Sequence, residues 1–567
     1  VIAFGAEYGV IRYQFAKSAS PAKQGVKSLA VPVIDGAFSP DKCHANDVRM
    51  VEARILAFRD VDDLTLDVSY SVYSSEFAGL LFRGRQVRKL PPEEVVHRQR
   101  TARQRNTMRD AYNTMCPRRK NNRTMMKTEA YQKMADPRPI TMFDHLDRMK
   151  MAEWVYPISD IIDQEPWFAF TLTPEHVSRR VAIVCKGATM VVNTDFSRFD
   201  GHVGYATQLI ELALLCAAIP ECNRGDFSTE YLSGLNRRSK STQGVSYHPG
   251  FSRGSGRLDT CIGNTLLNAF AAYATFRKCG YKPHEAYARL GIYGGDDGVT
   301  SDVDCNAYAR VARDLGFNLE LEPITMKSAL NGHNVKFLSR IYSPAVFQGN
   351  TDNVADIVRA WSKWHTVASL SNETEAVPRL LEKTFCLLQS DRNTPFYGEF
   401  LAAICGVYNK DTFDPRWTEF DWSRARNGNY TCDCVEWAGS FVQSQLAALG
   451  FNFGKFRDEL RELRAAAGSC QSHLVLRTGK CHLGSILPGR DVTRTLTSAP
   501  TSERSATSKP ARRISQERYN ALLKAVKDGH GLPNDATAHE KHVFRAIVSK
   551  MDRARGAGAS GGTGTGL

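Results

Sequence analysis

The 567-residue chain is long enough for several subdomains around a large core. Its 42% hydrophobic and 24% charged content excludes a disordered or fibrous class. Lys and Arg number 74 against 60 Asp and Glu, giving a net charge of +14 and a pI near 9.1, which favours a polyanionic partner, either nucleic acid or an anionic membrane surface. The 14 cysteines follow no fixed framework, so reduced thiols in a cytosolic compartment are expected. No basic-then-apolar leader opens the given sequence, and its start at Val1 without Met raises the expectation of a fragment or processed product. The longest apolar runs, Ile210–Pro220 and Leu266–Phe276, are too short or interrupted to span a bilayer. Membrane attachment is therefore expected only through further sequence or partners.

Residues 1–60 mix short apolar runs with turns, and Val48–Phe58 has helical spacing. They carry no evident chemistry and read as a structural extension. Beyond Phe82 cations crowd the chain, from Arg83 through Arg105 and Arg119 to Lys127. Such a run is as readily a solvated helix face as a polyanion site. Lys127, Lys133 and Arg138 then lie along a stretch that Pro137 and Pro139 hold extended. Extended cations suit a triphosphate, and Arg can grip phosphate with a bidentate fork or stack on a base.

In the central third, Val191–Thr194 reads as a buried strand that delivers Asp195 at its end, with Asp200 around a turn marked by Gly201. A lone Asp there would read as a helix N-cap. Tyr205–Ile219 has the composition of a buried helix. Gly250–Asn264 is a Gly/Ser loop running into the apolar helix Leu266–Phe276, with Ser255, Thr260 and Asn264 as neutral hydrogen-bonding groups. Ile292–Val299 predicts two strands joined by a tight turn bearing Asp296 and Asp297, flanked by Gly295 and Gly298. Alone, that turn would be only a turn. Ala307–Leu315 reads as a helix closed by Gly316, Lys327 follows, and Val335–Tyr342 alternates like one strand.

Together these residues make up the equipment for nucleotidyl transfer. Mg²⁺ takes a few carboxylates plus substrate phosphates and water, and two such ions roughly 3.5–4 Å apart can hold both oxygens of an in-line displacement. The ordered set resembles a viral RNA-dependent RNA polymerase over about residues 80–342, and most resembles nodavirus-like or tombusvirus-like positive-strand RNA virus replicases. Asp195-x4-Asp200 resembles motif A, Ser255-Gly256-x3-Thr260-x3-Asn264 motif B, and Gly295-Asp296-Asp297 motif C. Lys327 falls where motif D carries its lysine, though Lys336 is nearby, and Phe337-Leu338-Ser339-Arg340 resembles motif E. Lys127, Glu129, Lys133 and Arg138 resemble motif F.

The resemblance implies an α+β right-hand fold of fingers, palm and thumb, with a palm of antiparallel sheet packed by helices. It implies template-directed RNA synthesis with two Mg²⁺ ions, Mn²⁺ being a substitute. Asp195 and Asp296 would be the main ligands and Asp297 the supporting one. Asp200, Ser255, Thr260 and Asn264 would check the nucleotide 2′-hydroxyl, which separates RNA from DNA building blocks. Lys127, Lys133 and Arg138 would hold the triphosphate, and Lys327 would protonate the leaving pyrophosphate. The bulky Arg257-Leu258-Asp259 inside motif B departs from many relatives. A reverse transcriptase would carry an aromatic gate where Asp200 stands, and a non-catalytic RNA-binding scaffold would not need the full set of acids.

The expected organisation is an N-terminal extension (1–80) packed on fingers or thumb, fingers and palm (81–342), a thumb (343–486), and a basic flexible tail (487–567) with two short helices at 515–528 and 535–555. Trp361 and Trp364 are core candidates, with stacking on an initiating nucleotide as the alternative. Cys432, Cys434, Cys470, His473, Cys481 and His482 could supply a structural Zn²⁺ site, but their spacing fits no standard knuckle, so none is expected. Expected partners are RNA template and product, NTPs, and viral or host replication-complex proteins. The expected setting is host cytoplasm at membrane-associated replication complexes.

Overall fold

The four strands Ile292–Gly294, Asp297–Ser301, Val191–Phe196 and Leu319–Ile324 pair in that spatial order, antiparallel throughout. The computed structural model describes residues 2–465 apart from 8–9, 18–22, 24, 31, 35, 115–119, 369–375 and 408–434. The candidate zinc residues Cys432, Cys434, Cys470, His473, Cys481 and His482 lie outside the described residues, as do Trp417, Trp422 and the tail helices. Among the described residues nine cysteines are free, and no helix is long and apolar enough to cross a membrane.

Val191 and Val192 are fully buried, so the central strand has its apolar half in the core and Asp195 at the open end. Behind the sheet runs the helix Thr260–Lys278, in which every residue from Ile262 to Phe276 is buried. A helix apolar all round belongs in the middle of a protein, not on its surface. The helices Val68–Phe82, Tyr205–Cys216 and Cys305–Asp314 pack with it into the largest core. On the other side, Val191, Ile292, Val299 and Ile324 of the sheet pack against Val177 and Val181 of helix Pro174–Cys185. The antiparallel sheet covered by helices that the resemblance implies for the palm is thus present.

A second sheet has the order Pro139–Met142, Asn122–Met126, Ser239–Ser241 and Ser246–Tyr247. Between its first two strands the chain from Lys127 to Arg138 carries no regular structure, and Lys127 N donates to Arg138 O at 2.8 Å. Residues predicted as one helix at 48–58 form the helix His44–Arg54 and then a 3-10 turn, Leu56–Asp63.

A separate core joins Ile341, Trp361, Trp364, Phe400 and Leu460 with Leu29, Val33 and Ile34 from the N-terminal segment. Trp361 and Trp364 are 0% exposed, which removes the alternative that either stacks on a nucleotide. Val335–Tyr342 is not one strand. Leu338 and Ser339 take positive φ of 47° and 64°, folding the stretch into the hairpin Lys336–Phe337 and Arg340–Tyr342. Non-glycine residues with positive φ are uncommon, and nothing in the alternation announces this turn.

Candidate active site

Antiparallel pairing sets the acids. Asp195 is directly opposite Asp297 on one side and Glu320 on the other, so three carboxylates form one row across the same face of the sheet. Asp296 occupies the turn between the hairpin strands, where Gly295 has a φ of +68° that L-residues rarely adopt. The buried helix fixes this turn. Gly295 N donates to Thr265 Oγ1 at 3.0 Å, and Asn268 Nδ2 donates to the carbonyls of Gly295 and Asp297 at 3.0 and 3.1 Å. Asn268 was read only as part of the apolar helix Leu266–Phe276 and Thr265 was not singled out, because a lone polar residue in or beside such a run carries no signal of what it holds.

The row is electrostatically unbalanced. Burial, then the charges of Asp296 and Asp195, push the Asp297 carboxyl up to about 7. Asp195 is raised by burial, then by Asp296 and Glu320, and Asp296 chiefly by burial. Like charges directly opposed in a sheet repel, so the arrangement favours a cation. Oxygen donors on a rigid sheet edge fit a hard ion such as Mg²⁺. Among the described residues, no three His, Cys, Asp or Glu side chains are already drawn into a ligand cluster. Mg²⁺ commonly takes one or two carboxylates and leaves its other positions to phosphate and water.

Two cavities lie at these acids, one reaching Asp296 and the other the row itself. One, of about 410 Å³, is lined by Asp296, by Asp200, Ser255 and Asn264, and by Arg54, Lys127, Arg138 and Arg198. Small-molecule sites span roughly 300–1,000 Å³. Inside it Asp200 accepts from Ser255 Oγ and, at 2.7 Å, from Asn264 Nδ2. The Oδ1 of Asn264 is buried without a hydrogen-bond partner. Thr260 is not part of this network. It opens the helix, and its Oγ1 donates to Arg257 O at 2.9 Å.

The cations are only partly neutralised. Glu129 is 3.1 Å from Lys127 Nζ and 3.7 Å from Arg138 Nε, and Asp136 is 2.6 Å from Arg198 Nη2. Arg54 donates to the backbone carbonyl of Asp136 at 2.9 Å. Burial, then the neighbouring charges of Arg138 and Arg198, lower its pKa from the usual arginine range. Four crowded cations beside these acids favour an anionic ligand. Lys133 is exposed and does not line the cavity.

The second cavity, of about 420 Å³, is lined by Asp195, Asp297, Glu320, Lys336 and Arg359, among others. Arg359 sits on the helix Ile357–Trp364, and its charge pulls down the pKa of Asp195 and Asp297. Lys327 is exposed on the short helix Met326–Leu330 and lines neither cavity. Arg54, Arg198, Glu320 and Arg359 had no role in the sequence reading. Arg198 alone could have been noticed there, since it falls inside Asp195-x4-Asp200.

No protein-family model matches the chain. It is 30% identical over 289 residues to the RNA-directed RNA polymerase of striped jack nervous necrosis virus, a match covering 50% of this chain and 28% of that protein. The corresponding protein of Pariacoto virus is 29% identical over 293 residues, covering 50% and 29%. That of Macrobrachium rosenbergii nodavirus is 30% identical over 250 residues, covering 43% and 23%. The matches thus span less than a third of these relatives' own length. The crystal structure of a human picobirnavirus RNA-dependent RNA polymerase superposes with a TM-score of 0.53 at 15% identity, over 70% of this chain and 87% of that one. The chain's curated relatives are nodavirus RNA-directed RNA polymerases, and its fold is the right-hand fold of the viral RNA-dependent RNA polymerases.

Proposed function

We propose that this chain is a viral RNA-dependent RNA polymerase that adds nucleotides to an RNA 3′-hydroxyl under the direction of an RNA template. The observation that carries the reading is the convergence in one cavity of Asp296, the Asp200–Ser255–Asn264 network and the cations Lys127, Arg138 and Arg198. An NTP enters with its triphosphate among these cations, and Arg54 joins them. Its ribose lies against the Asp200–Ser255–Asn264 network, which meets the 2′-hydroxyl. In this reading the α-phosphorus would lie near Asp195 and Asp296, with the primer 3′-hydroxyl on the side of the cavity lined by Arg359.

Asp195 and Asp296, assisted by Asp297, fit two Mg²⁺ ions, with Mn²⁺ as a substitute. When bound, these ions supply charge neutralisation for the attacking and leaving oxygens. The 3′-oxygen, its proton passing to solvent, attacks the α-phosphorus, the bond from the α-phosphorus to the bridging oxygen breaks, and pyrophosphate leaves opposite. Lys127 and Arg138 steady the charge that builds on the leaving group. Lys327 is assigned the proton for that group on the motif D resemblance alone, and its exposed helix would have to swing inward.

On this reading residues 81–342 serve as fingers and palm, 343–486 as thumb, and 1–80 as an extension that also reaches the nucleotide site. The partners are RNA, NTPs and other replication-complex proteins in the host cytoplasm. Membrane association would come through sequence beyond this chain or through a partner.

The test is extension of a primed RNA template by the purified chain with Mg²⁺ or Mn²⁺, with ribonucleotides and deoxyribonucleotides compared. Template-dependent RNA synthesis is expected. RNA binding without incorporation would favour a non-catalytic scaffold, and preference for dNTPs would favour a reverse transcriptase.

A further inference from the structure

Behind the nucleotide network lies a polar cluster that the proposed chemistry does not use. Glu211, on the helix Tyr205–Cys216, and Arg253, in the loop before Ser255, form an ion pair whose side chains are both 0% exposed. Arg253 Nη1 donates to Glu211 Oε1 at 3.3 Å, and Nη2 donates to Oε2. The Tyr231 hydroxyl donates to Glu211 Oε1 at 2.9 Å. Burial alone would lower the Arg253 pKa, but the charges of Glu211 and then Asp259 outweigh it and hold the guanidinium charged.

Stability is a poor explanation for such a pair. Exchanging a buried ion pair for apolar residues of similar volume is often neutral or stabilising, whereas removing one partner strands a charge. Its placement is more informative. Arg253 N donates to Asp200 O at 2.9 Å. Two residues on, Ser255 Oγ donates to the Asp200 carboxylate. The other flank of the pair packs against Gly263. A Cβ there would lie 2.5 Å from Glu211 Oε2 and 2.7 Å from Arg253 Nη1, so no side chain fits. Gly263 directly precedes Asn264, the second donor to Asp200. The salt bridge therefore packs against Gly263, next to Asn264, and anchors the side chain of Arg253, whose own main chain bonds Asp200 and leads two residues on to Ser255.

We infer that Glu211 and Arg253 are positioning residues that hold Ser255 and Asn264 at hydrogen-bonding distance from Asp200, and so set the discrimination between ribonucleotides and deoxyribonucleotides. This rests on the polymerase reading above. Neither residue need touch the nucleotide: each acts through the geometry of Asp200.

The test is kcat and KM for an NTP and for its dNTP, with melting temperature measured in parallel. The first variant is the apolar pair Glu211→Leu with Arg253→Met, which removes the bridge without stranding a charge. It is expected to fold and to lose discrimination by about tenfold or more. The loss should appear as a raised KM for the NTP, with incorporation of the dNTP little changed. A folded double variant with wild-type discrimination would overturn the inference. If that variant does not fold, Arg253→Lys decides. It keeps the charge but not the bidentate fork, so it should show a smaller loss of the same kind, and unaltered discrimination there would equally overturn it. Wild-type protein that incorporates neither nucleotide would refute the polymerase reading itself, an outcome separate from the other two.

Discussion

Asp195 and Asp297 are register partners on neighbouring antiparallel strands, with their carboxylates on the same face of the sheet. Two such charges are held together at a cost, visible in the Asp297 carboxyl, which burial and its acidic neighbours push up to about 7. A bound divalent cation would relieve that repulsion. Asp195→Asn or Asp296→Asn should therefore lower nucleotide incorporation by at least about 10²–10³-fold. RNA binding should survive, because it rests on Lys and Arg contacts to phosphate. Extension assays alongside RNA titrations check both halves. Near-wild-type synthesis by either variant would rule out the assigned metal site.

Each oxygen of the Asp200 carboxylate accepts from one donor, Oδ2 from Ser255 Oγ and Oδ1 from Asn264 Nδ2. Without it, both would be free to turn away from the ribose. Asp200→Ala is expected to reduce NTP over dNTP preference by about tenfold or more. The KM for the NTP should rise while metal-dependent turnover persists. Competition between NTP and dNTP on one template measures this, and unchanged selectivity would remove Asp200 from its role.

What the sequence disclosed and what it hid follow from one physical distinction. Asp195, Asp200, Ser255, Asn264, Asp296 and Asp297 were legible because each sits in a short pattern of turn glycines and apolar flanks. The antiparallel sheet follows from the same patterns. Glu320 was not legible: it faces Asp195 only because distant segments pair in a particular register. Arg54 and Arg359 reach the cavities from helices whose own sequences look merely structural. Pattern and placement also diverge. Thr260 fits its motif by spacing but bonds to the Arg257 carbonyl at the start of its helix, and Lys133 fits by charge but faces solvent. The alternation at 335–342 concealed a hairpin, since neither Leu338 nor Ser339 is a usual residue for positive φ.

Arg54 offers a direct check on that hidden part. It is half-buried, lines the nucleotide cavity, and is crowded by Arg138 and Arg198. Among like charges it should favour a polyanion. Arg54→Ala should raise the KM for all four NTPs by about tenfold while leaving the melting temperature nearly unchanged. Arg54→Lys should recover part of the loss, since it restores charge without the fork. A drop in melting temperature with KM unaltered would instead make Arg54 a purely structural residue.

The last prediction concerns the helix Phe453–Ala465, far from the chemistry in sequence. Glu459 is 8% exposed, its Oε2 is buried without a hydrogen bond, and Lys455 Nζ is 3.7 Å from its other oxygen. Burial, outweighing Lys455, raises its pKa from an ordinary 4.5 to about 7. The folded protein therefore binds this proton more tightly than the unfolded chain does. The stability this contributes is complete below pH 4.5 and is lost as the pH climbs through 7. Above that, folding confines a charge that water would solvate better. Glu459→Gln keeps the shape and removes the charge. It should melt about 2 °C above wild type at pH 8, and the gap should close as the pH is lowered toward 5. Thermal melts of both proteins across that range provide the measurement. A variant less stable than wild type at pH 8 would mean that the pairing with Lys455 outweighs the cost of burial.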